Sequence, residues 1–458
     1  MRIVLLFCGL LIFACGHVGS EISGDDDQEL YQNYLLLKAY FFHPERIKEY
    51  EEYRSMKIDS IYKKVDSMYK SLDDYFCGAH YVGDIRDCQK YTRYYPPEKT
   101  NDKINEIEKT ERYYSFGFLR DGNKSGDTMI VWWVYPISPA ATAGLRKKDR
   151  LLSANGISLT GLDLAGKDSI YLENDDPFKD STVFVVLREG KTITLPAMKK
   201  KEVPEPTVYL DSLDGIPYIR VYQYKLSTNN PRGTYYEFYN ILQEINGAKA
   251  AIMDLRGNPG GNMGHCTAMA SELVPLNTLL LYDVEHYHDR KRGNVIDTSY
   301  EYARDYLRRD GIGINTKWVI LMSRGSASCS ERFAAAVKYN RPETVVIGQT
   351  SYGKGIGQIY KETYMGGLAY ITCLQTYYPN GETFHNIGII PDIETEPGNM
   401  EVLRNEAIKA ARSFGAAAKP LAMPASSEPF PPERKRPADK WEPAANKRID
   451  MQLFHQGE

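Results

Sequence analysis

Ser328 and Lys354 are the residues whose types and settings point most directly to chemistry. Ser328 closes the run Ser323-Arg324-Gly325-Ser326-Ala327-Ser328, after an apolar strand-like stretch at 318–322. It stands before Cys329-Ser330-Glu331, which reads as the start of a helix reaching about Tyr339. A hydroxyl delivered by a strand to the mouth of a helix meets unpaired backbone N–H groups and the positive end of the helix dipole, which suits a nucleophile. A second strand at 344–347 leads into Gly353-Lys354-Gly355-Ile356-Gly357-Gln358. No histidine shares a motif with serine and aspartate, and Gly325-Ser326-Ala327-Ser328-Cys329 is not the Gly-x-Ser-x-Gly turn of many hydrolases. A lysine can take a serine's proton if burial lowers its pKa from about 10.4 toward neutrality. Glycines on both sides let Lys354 fold into such a pocket, and Gln358 can orient its amine without adding charge. The predicted chemistry is attack by Ser328 with Lys354 as base. Taken singly, the same residues also fit a helix N-cap and a surface lysine.

The elements that must position these residues follow from the hydrophobic pattern. Strands at 219–222 and 250–255 flank a helical run at 235–245, and Asp254-Leu255-Arg256-Gly257-Asn258-Pro259-Gly260-Gly261 leaves the second strand as a glycine-rich turn. A helix at 262–274 follows, so the turn can bring free N–H groups close to a neighbour. Residues 278–316 read as a polar excursion in which His286, His288 and the basic run 290–292 belong to a solvated face. Strand-like residues at 368–378, a turn at Pro379-Asn380-Gly381 and a last helix at 400–412 complete this half.

Upstream the character changes twice. From 29 to 112 apolar residues recur at helical spacing, Leu30, Tyr34 and Leu35 first and Ile58, Ile61, Tyr62 and Val65 later, with the tyrosines reading as half-buried core rings. From 113 to 201 short strands at 114–119, 128–135, 149–154 and 182–187 surround Ser138-Pro139-Ala140-Ala141-Thr142-Ala143-Gly144, a short helix with an N-cap serine, a proline at its first position and a terminal glycine.

Bulk properties bound the function. The chain has 458 residues, 57 Lys plus Arg against 60 Asp plus Glu, and a formal charge of -3, which gives no electrostatic case for nucleic acid. Its length suits roughly two to four domains. Residues 1–14 have a basic start and an apolar run shorter than the roughly 20 residues of a membrane span, as in a secretory signal. Among seven cysteines, Cys77 and Cys88 bracket a local loop and are read either as a disulfide or as two unpaired thiols. No metal-ligand cluster is legible, and no cofactor is implied.

Several of these stretches carry a resemblance. Ile12-Phe13-Ala14-Cys15 looks like a bacterial lipobox, which implies lipidation of Cys15 and a tether at 15–28. "SPAATAGLRKKDRLLSANG" resembles the helix and strand of a PDZ domain, with Phe116-Gly117-Phe118 where such domains hold a peptide's terminal carboxylate. "YTRYYPPE", "DLRGNPGG", "SRGSASCSE", "SYGKGIGQ" and "YYPNGETFHNIGIIPDIE" resemble, in this order, the C-terminal processing peptidases of the S41 type. That resemblance implies a multi-domain α+β chain: a helical N-terminal region (29–112), a PDZ-like β-rich domain (113–201), a ClpP/crotonase-like α/β serine peptidase core (202–398), a C-terminal helix (399–414) and a disordered tail (415–458).

It also implies roles. Ser328 falls on the family's nucleophile, Lys354 on its general base and Gln358 on its supporting glutamine, while backbone N–H groups of Gly260 or Gly261 and of Cys329 fall on its oxyanion hole. Two departures stand out: Cys329 replaces the usual alanine, and the segment between Ser328 and Lys354 is one residue longer, which leaves Ser326 as a competing register. Ser330-Glu331 favours Ser328. The expected partners are proteins or peptides with free C-termini, a membrane reached through a lipid on Cys15, and a second copy in a homo-oligomer, in the bacterial periplasm or cell envelope. The rival readings are an inactive PDZ-type peptide-binding envelope protein and a binder of small hydrophobic ligands.

Overall fold

A computed structural model describes residues 24–67, 91–120, 129–162, 181–289, 291–303 and 310–415. The expected signal segment, Cys15, the Cys77 and Cys88 pair and the tail beyond Gly415 lie outside the described residues. The chain opens with α1 (Asp25–Tyr40), α2 (Ile58–Ser67), β1 (Arg93–Tyr95) and α3 (Pro97–Glu108). A β-rich module follows: β2 (Arg112–Ser115), β3 (Phe118–Arg120), β4 (Met129–Val134), the short helix α4 (Pro139–Thr142), β5 (Arg150–Ala154), β6 (Ile157–Ser158), β7 (Phe184–Arg188), β8 (Lys191–Thr194) and β9 (Lys201–Pro204). The rest is β10 (Val208–Leu213), β11 (Ile216–Val221), α5 (Gly233–Glu244), β12 (Ala250–Asp254), α6 (Met263–Ser271), β13 (Leu279–Asp289), β14 (Gly293–Tyr302), β15 (Lys317–Met322), α7 (Cys329–Asn340), β16 (Val345–Gly348), β17 (Ile356–Glu362), β18 (Leu368–Tyr377), β19 (Ile393–Glu394) and α8 (Met400–Ser413).

The core is a six-stranded sheet in the order β10-β11-β12-β15-β16-β19, parallel except for the β10/β11 hairpin. β12 is buried along its whole length and β15 from Trp318 onward, the run of apolar residues expected of parallel strands covered on both faces. Phe238, Leu242, Met269, Phe333 and Val337 from α5, α6 and α7 pack on one face, and Leu403, Ala407 and Ala411 of α8 on the other. The C-terminal ends of β12 and β15 therefore open side by side into the glycine-rich turn and the Ser328 turn.

A second sheet carries the lysine. β18 pairs antiparallel with β17 on one edge and with β1 and β13 on the other, and β14 extends β13. Within the stretch read as a polar excursion, β13 and β14 thus pair as a long hairpin, which corrects that reading. Strands with one wet and one covered face intersperse their apolar residues with polar ones, and that disguised the pattern. His288 and Arg292 are exposed as expected, but His286 is buried. Asp283 on β13 makes a buried bidentate pair with Arg332 of α7, with Oδ1 accepting at 2.7 Å and Oδ2 at 2.9 Å. The hairpin is thereby bound to the nucleophile's helix.

The N-terminal region belongs to the same body. Leu30, Tyr34, Leu37, Phe41, Ile61, Tyr62 and Val65 bury against Ile356, Ala369 and Ile371 of β17 and β18. β1, inside the stretch read as helical, is a strand because its backbone completes the edge of β18. α1 begins at Asp25, so residues 25–28, read as tether, are helical, and three aspartates in the first turn complement the helix dipole.

The β-rich module is a sheet in the order β3-β4-β5-β7-β8, with β6 on β5 and a β2/β9 ribbon at its junction with the core. Trp132 stacks on Tyr209 of β10, Lys147 pairs with Asp211, and Asn229 exchanges hydrogen bonds with the backbone of Ile137. Leu37, fully buried between α1 and the lysine-bearing sheet, tests this architecture. Leu37→Ala is expected to cost about 2–5 kcal/mol, read as a lower urea midpoint with an unchanged slope.

Candidate active site

Ser328 has φ 56° and ψ -115°, a left-handed backbone that a β-carbon disfavours. An ordinary N-cap serine is extended. This one is forced into a sharp strand-to-helix turn that pushes its side chain outward, and strain of this kind collects where a group must be presented. Ser326 is fully buried, and its hydroxyl donates to the Leu255 carbonyl and accepts from the Ser323 N–H, each at 2.9 Å. Ser330 is likewise buried and donates to the Asn258 carbonyl at 2.9 Å. Of these three serines only Ser328 retains measurable exposure, 6%. The competing register at Ser326 is occupied with holding the turn together.

The glycine-rich turn meets Ser328 at van der Waals distance. A β-carbon on Gly260 would lie 2.8 Å from the Ala327 carbonyl oxygen, the Cys329 nitrogen and Cβ of Ser328, so nothing larger fits. Asn258 joins the two turns: its carbonyl accepts from the Ala327 N–H at 2.9 Å and its Oδ1 accepts from the Gly260 N–H at 2.9 Å. That bond engages the Gly260 N–H within its own turn. Tyr224 pairs like a strand with Gly261: its N–H donates to the Gly260 carbonyl and its carbonyl accepts from the Asn262 N–H, which leaves the Gly261 N–H outside the ladder. Among the described residues neither Gly261 nor Cys329 has a backbone acceptor for its N–H. Between the two glycines suggested by the sequence, the geometry favours Gly261.

Lys354 is 1% exposed, and its amine donates to Oε1 of Gln358 at 2.8 Å. The ring of Tyr91, just before β1, lies 5.7 Å from the amine. Burial pulls the lysine pKa down to about 7, with the negative charge of Glu331 opposing. Glu331 is the residue the sequence reading used only to choose a register. Fully buried, it accepts four hydrogen bonds: Oε2 from the Ser328 N–H and the Lys354 N–H, each at 2.8 Å, and Oε1 from the Gly353 N–H and the Ser351 hydroxyl, each at 2.5 Å. Burial pushes its carboxyl up to about 7 against those four bonds. The signal was present as Ser328-Cys329-Ser330-Glu331, the spacing of a capping box.

A further feature was not anticipated. Cys266 on α6 and Cys329 on α7 form a disulfide, Cα to Cα 5.7 Å, across 63 residues. It joins the helix that follows the glycine-rich turn to the residue that follows Ser328. Cys329 therefore contributes more than its backbone N–H, and the spacing of two distant cysteines could not announce the pair.

Phe116, Gly117 and Phe118 lie apart from this cluster, in the β-rich module. The Phe116 ring is buried against Phe184, 5.4 Å between centroids, and Phe118 packs beside it. Gly117 has φ 76°, and its N–H donates to the Ser115 hydroxyl at 3.2 Å. The side chains belong to the module's core, while β3 lies at the edge of its sheet.

Residues 215–395 match the model for Peptidase family S41, so the chain carries an S41 peptidase domain. Over 281 residues it is 27% identical to the carboxy-terminal processing protease CtpA of Bacillus subtilis (strain 168), covering 60% of this chain and 54% of that protein. A CtpA-like serine protease of Staphylococcus aureus (strain N315) is 26% identical over 292 residues, with 63% and 54% covered. The match thus spans about half the length of these curated relatives, 54% in both. The solved photosystem II D1 C-terminal processing protease aligns with 87% of this chain and 99% of its own, at 20% identity and a TM-score of 0.45.

Two outcomes follow for the site. Mapping without reduction should recover Cys266 and Cys329 peptides joined, and replacing both cysteines by alanine should cost about 2–4 kcal/mol, the range for closing a long loop. Lys354→Met should raise stability by about 2–4 kcal/mol at neutral pH. Below about pH 7 the buried ammonium is destabilising in full; between there and about 10.4 only the unfolded chain holds the proton, so native stability rises. The advantage of the methionine, read as a difference in Tm, should fade across that window.

Proposed function

We propose that this chain is a serine endopeptidase with a Ser328/Lys354 dyad acting on proteins recognised through their C-terminal tails. The observation that carries the reading is the Glu331 carboxylate oxygen that accepts from both the Ser328 and the Lys354 N–H groups, beside a lysine with its pKa near 7. In the proposed reaction Lys354 takes the Ser328 proton as Oγ attacks a peptide carbonyl carbon. The carbonyl oxygen becomes an oxyanion facing the N–H groups of Gly261 and Cys329. Collapse breaks the C–N bond, and the Lys354 ammonium returns its proton to the departing amine. Water, deprotonated by the same lysine, then releases the acyl group from Ser328. Preorganised donors of the oxyanion kind typically contribute about 10² to 10³ in rate.

The β-rich module is the proposed tail-binding unit, a PDZ-like sheet with β3 as an outer strand beside the Phe116 to Phe118 loop. A peptide strand added there gains main-chain hydrogen bonds and leaves its carboxylate at the loop. The buried disulfide supports maturation in an oxidising compartment, in keeping with export.

With fluorescein-labelled casein as substrate, Ser328→Ala and Lys354→Ala should each lower kcat/KM by about 10⁴-fold or more. Wild-type kcat/KM should rise with pH through a midpoint near 7 as the amine deprotonates. Binding of casein by wild type and Lys354→Ala alike with no cleavage by either would leave a peptide-binding protein instead. A peptide with a free C-terminus should be cleaved about tenfold faster than its amide, and equal rates would remove the tail-binding role.

A further inference from the structure

Gln358 is fully buried on β17 and has two chemically opposite ends, an oxygen that accepts and an NH₂ that donates. Only one orientation serves a basic lysine. With Oε1 toward Lys354 the amide occupies an amine proton and leaves the nitrogen lone pair for Ser328. Turned over, it would aim N–H donors at that lone pair. An isolated amide has little intrinsic preference between the two, so a neighbour must choose.

We infer that Thr372, held by Thr92, is the positioning residue that fixes the Gln358 amide with its oxygen toward Lys354; this rests on Lys354 being the base. Nε2 of Gln358 donates to Oγ1 of Thr372 at 3.3 Å. The Thr92 hydroxyl accepts from the Thr372 N–H at 3.2 Å and donates to Oγ1 of Thr372 at 3.2 Å. The direction of the chain follows. Thr92 accepts from the Thr372 N–H and donates to Oγ1 of Thr372, and the same oxygen accepts from Nε2 of Gln358. That acceptor holds the NH₂ end of Gln358 and leaves Oε1 facing Lys354.

The sheets are built to make this line-up. A bulge on β18 skips Cys373, so Gln358 pairs with Thr372 where an unbroken register would oppose it to Cys373. Bulges of this kind re-aim side chains beside a site. Thr92 approaches from the other edge of β18, one residue before β1 and one after the Tyr91 ring that faces the Lys354 amine. The Thr372 carbonyl accepts from the Phe42 N–H at 2.9 Å, which fixes its backbone from the end of α1. The N-terminal region thus reaches the base through two hydroxyls and one amide.

Thr372→Val keeps the shape and removes the acceptor, and Thr372→Ser restores it. On labelled casein, Thr372→Val should lower kcat on the order of 10- to 100-fold with little change in KM, the range seen when partners that orient an active group are removed. The midpoint of its kcat/KM profile should also move to lower pH, because a carbonyl oxygen favours the ammonium and amide N–H groups disfavour it. Loss of packing alone would lower the plateau without moving the midpoint. Thr372→Ser should recover both, and Thr372→Val should add little in a Gln358→Ala background, where there is no amide to turn. A wild-type plateau and midpoint in Thr372→Val, or an undiminished further loss in Gln358→Ala, would overturn the assignment. Lys354→Ala run alongside separates the two claims. Activity in Lys354→Ala defeats the base itself, whereas its inactivity with a normal Thr372→Val defeats only the orientation.

Discussion

One carboxylate holds this site together. Glu331 takes hydrogen bonds from the turn that carries Ser328 and from the loop that carries Lys354, which are delivered by different sheets. Left without it, three backbone N–H groups and a hydroxyl would be buried without acceptors, each costing about 1–3 kcal/mol. The carboxylate is therefore as much a folding element as an electrostatic one. Its charge opposes the lowering of the lysine pKa, and the deep burial of the amine prevails, leaving the lysine near 7. The arrangement also places negative charge behind the backbone and away from the amine's own hydrogen bond, which goes to a neutral amide.

A second unit lies beneath the glycine-rich turn. Asp254, at the end of β12, is fully buried between the guanidinium groups of Arg220 and Arg256 and receives the Tyr218 hydroxyl. The two cations hold its carboxyl well below the usual carboxylate range. Arg220 also donates to the Arg256 carbonyl at 2.6 Å, so the pair fixes the backbone where strand becomes turn. Such a buried ion cluster contributes little net stability compared with an apolar core, yet it specifies one geometry. The Arg220 guanidinium lies 4.9 Å from the ring of Tyr222, whose neighbour Tyr209 stacks on Trp132 of the β-rich module.

Much of this was legible in the chain, and the reasons differ by element. β12 and β15 announced themselves as unbroken apolar runs, and Ser328, Lys354 and Gln358 stood out because glycines and a helix start surrounded them. The β13/β14 hairpin did not, because strands with one wet face dilute the hydrophobic signal over a long polar stretch. β1 was hidden for another reason: a three-residue strand has no periodicity of its own and exists only through its partner β18. The left-handed backbone of Ser328, the commitment of the Gly260 N–H and the pairing of Cys266 with Cys329 are products of tertiary contact, and no local spacing encodes them. Glu331 is the exception, readable as a capping residue but not as the tie between two loops.

The hydrogen bond between Thr92 and Thr372 spans 280 residues. Contacts of such separation are made late in folding, after the loops between them have closed. A chain still emerging from the ribosome can have its Ser328 turn and its glycine-rich turn in place and yet lack the far edge of β18. The support of the lysine through Thr372 is then complete only when the segment leading into β1 has met β18. Assembly order thus ties the support of Lys354 to the meeting of two distant parts of the chain.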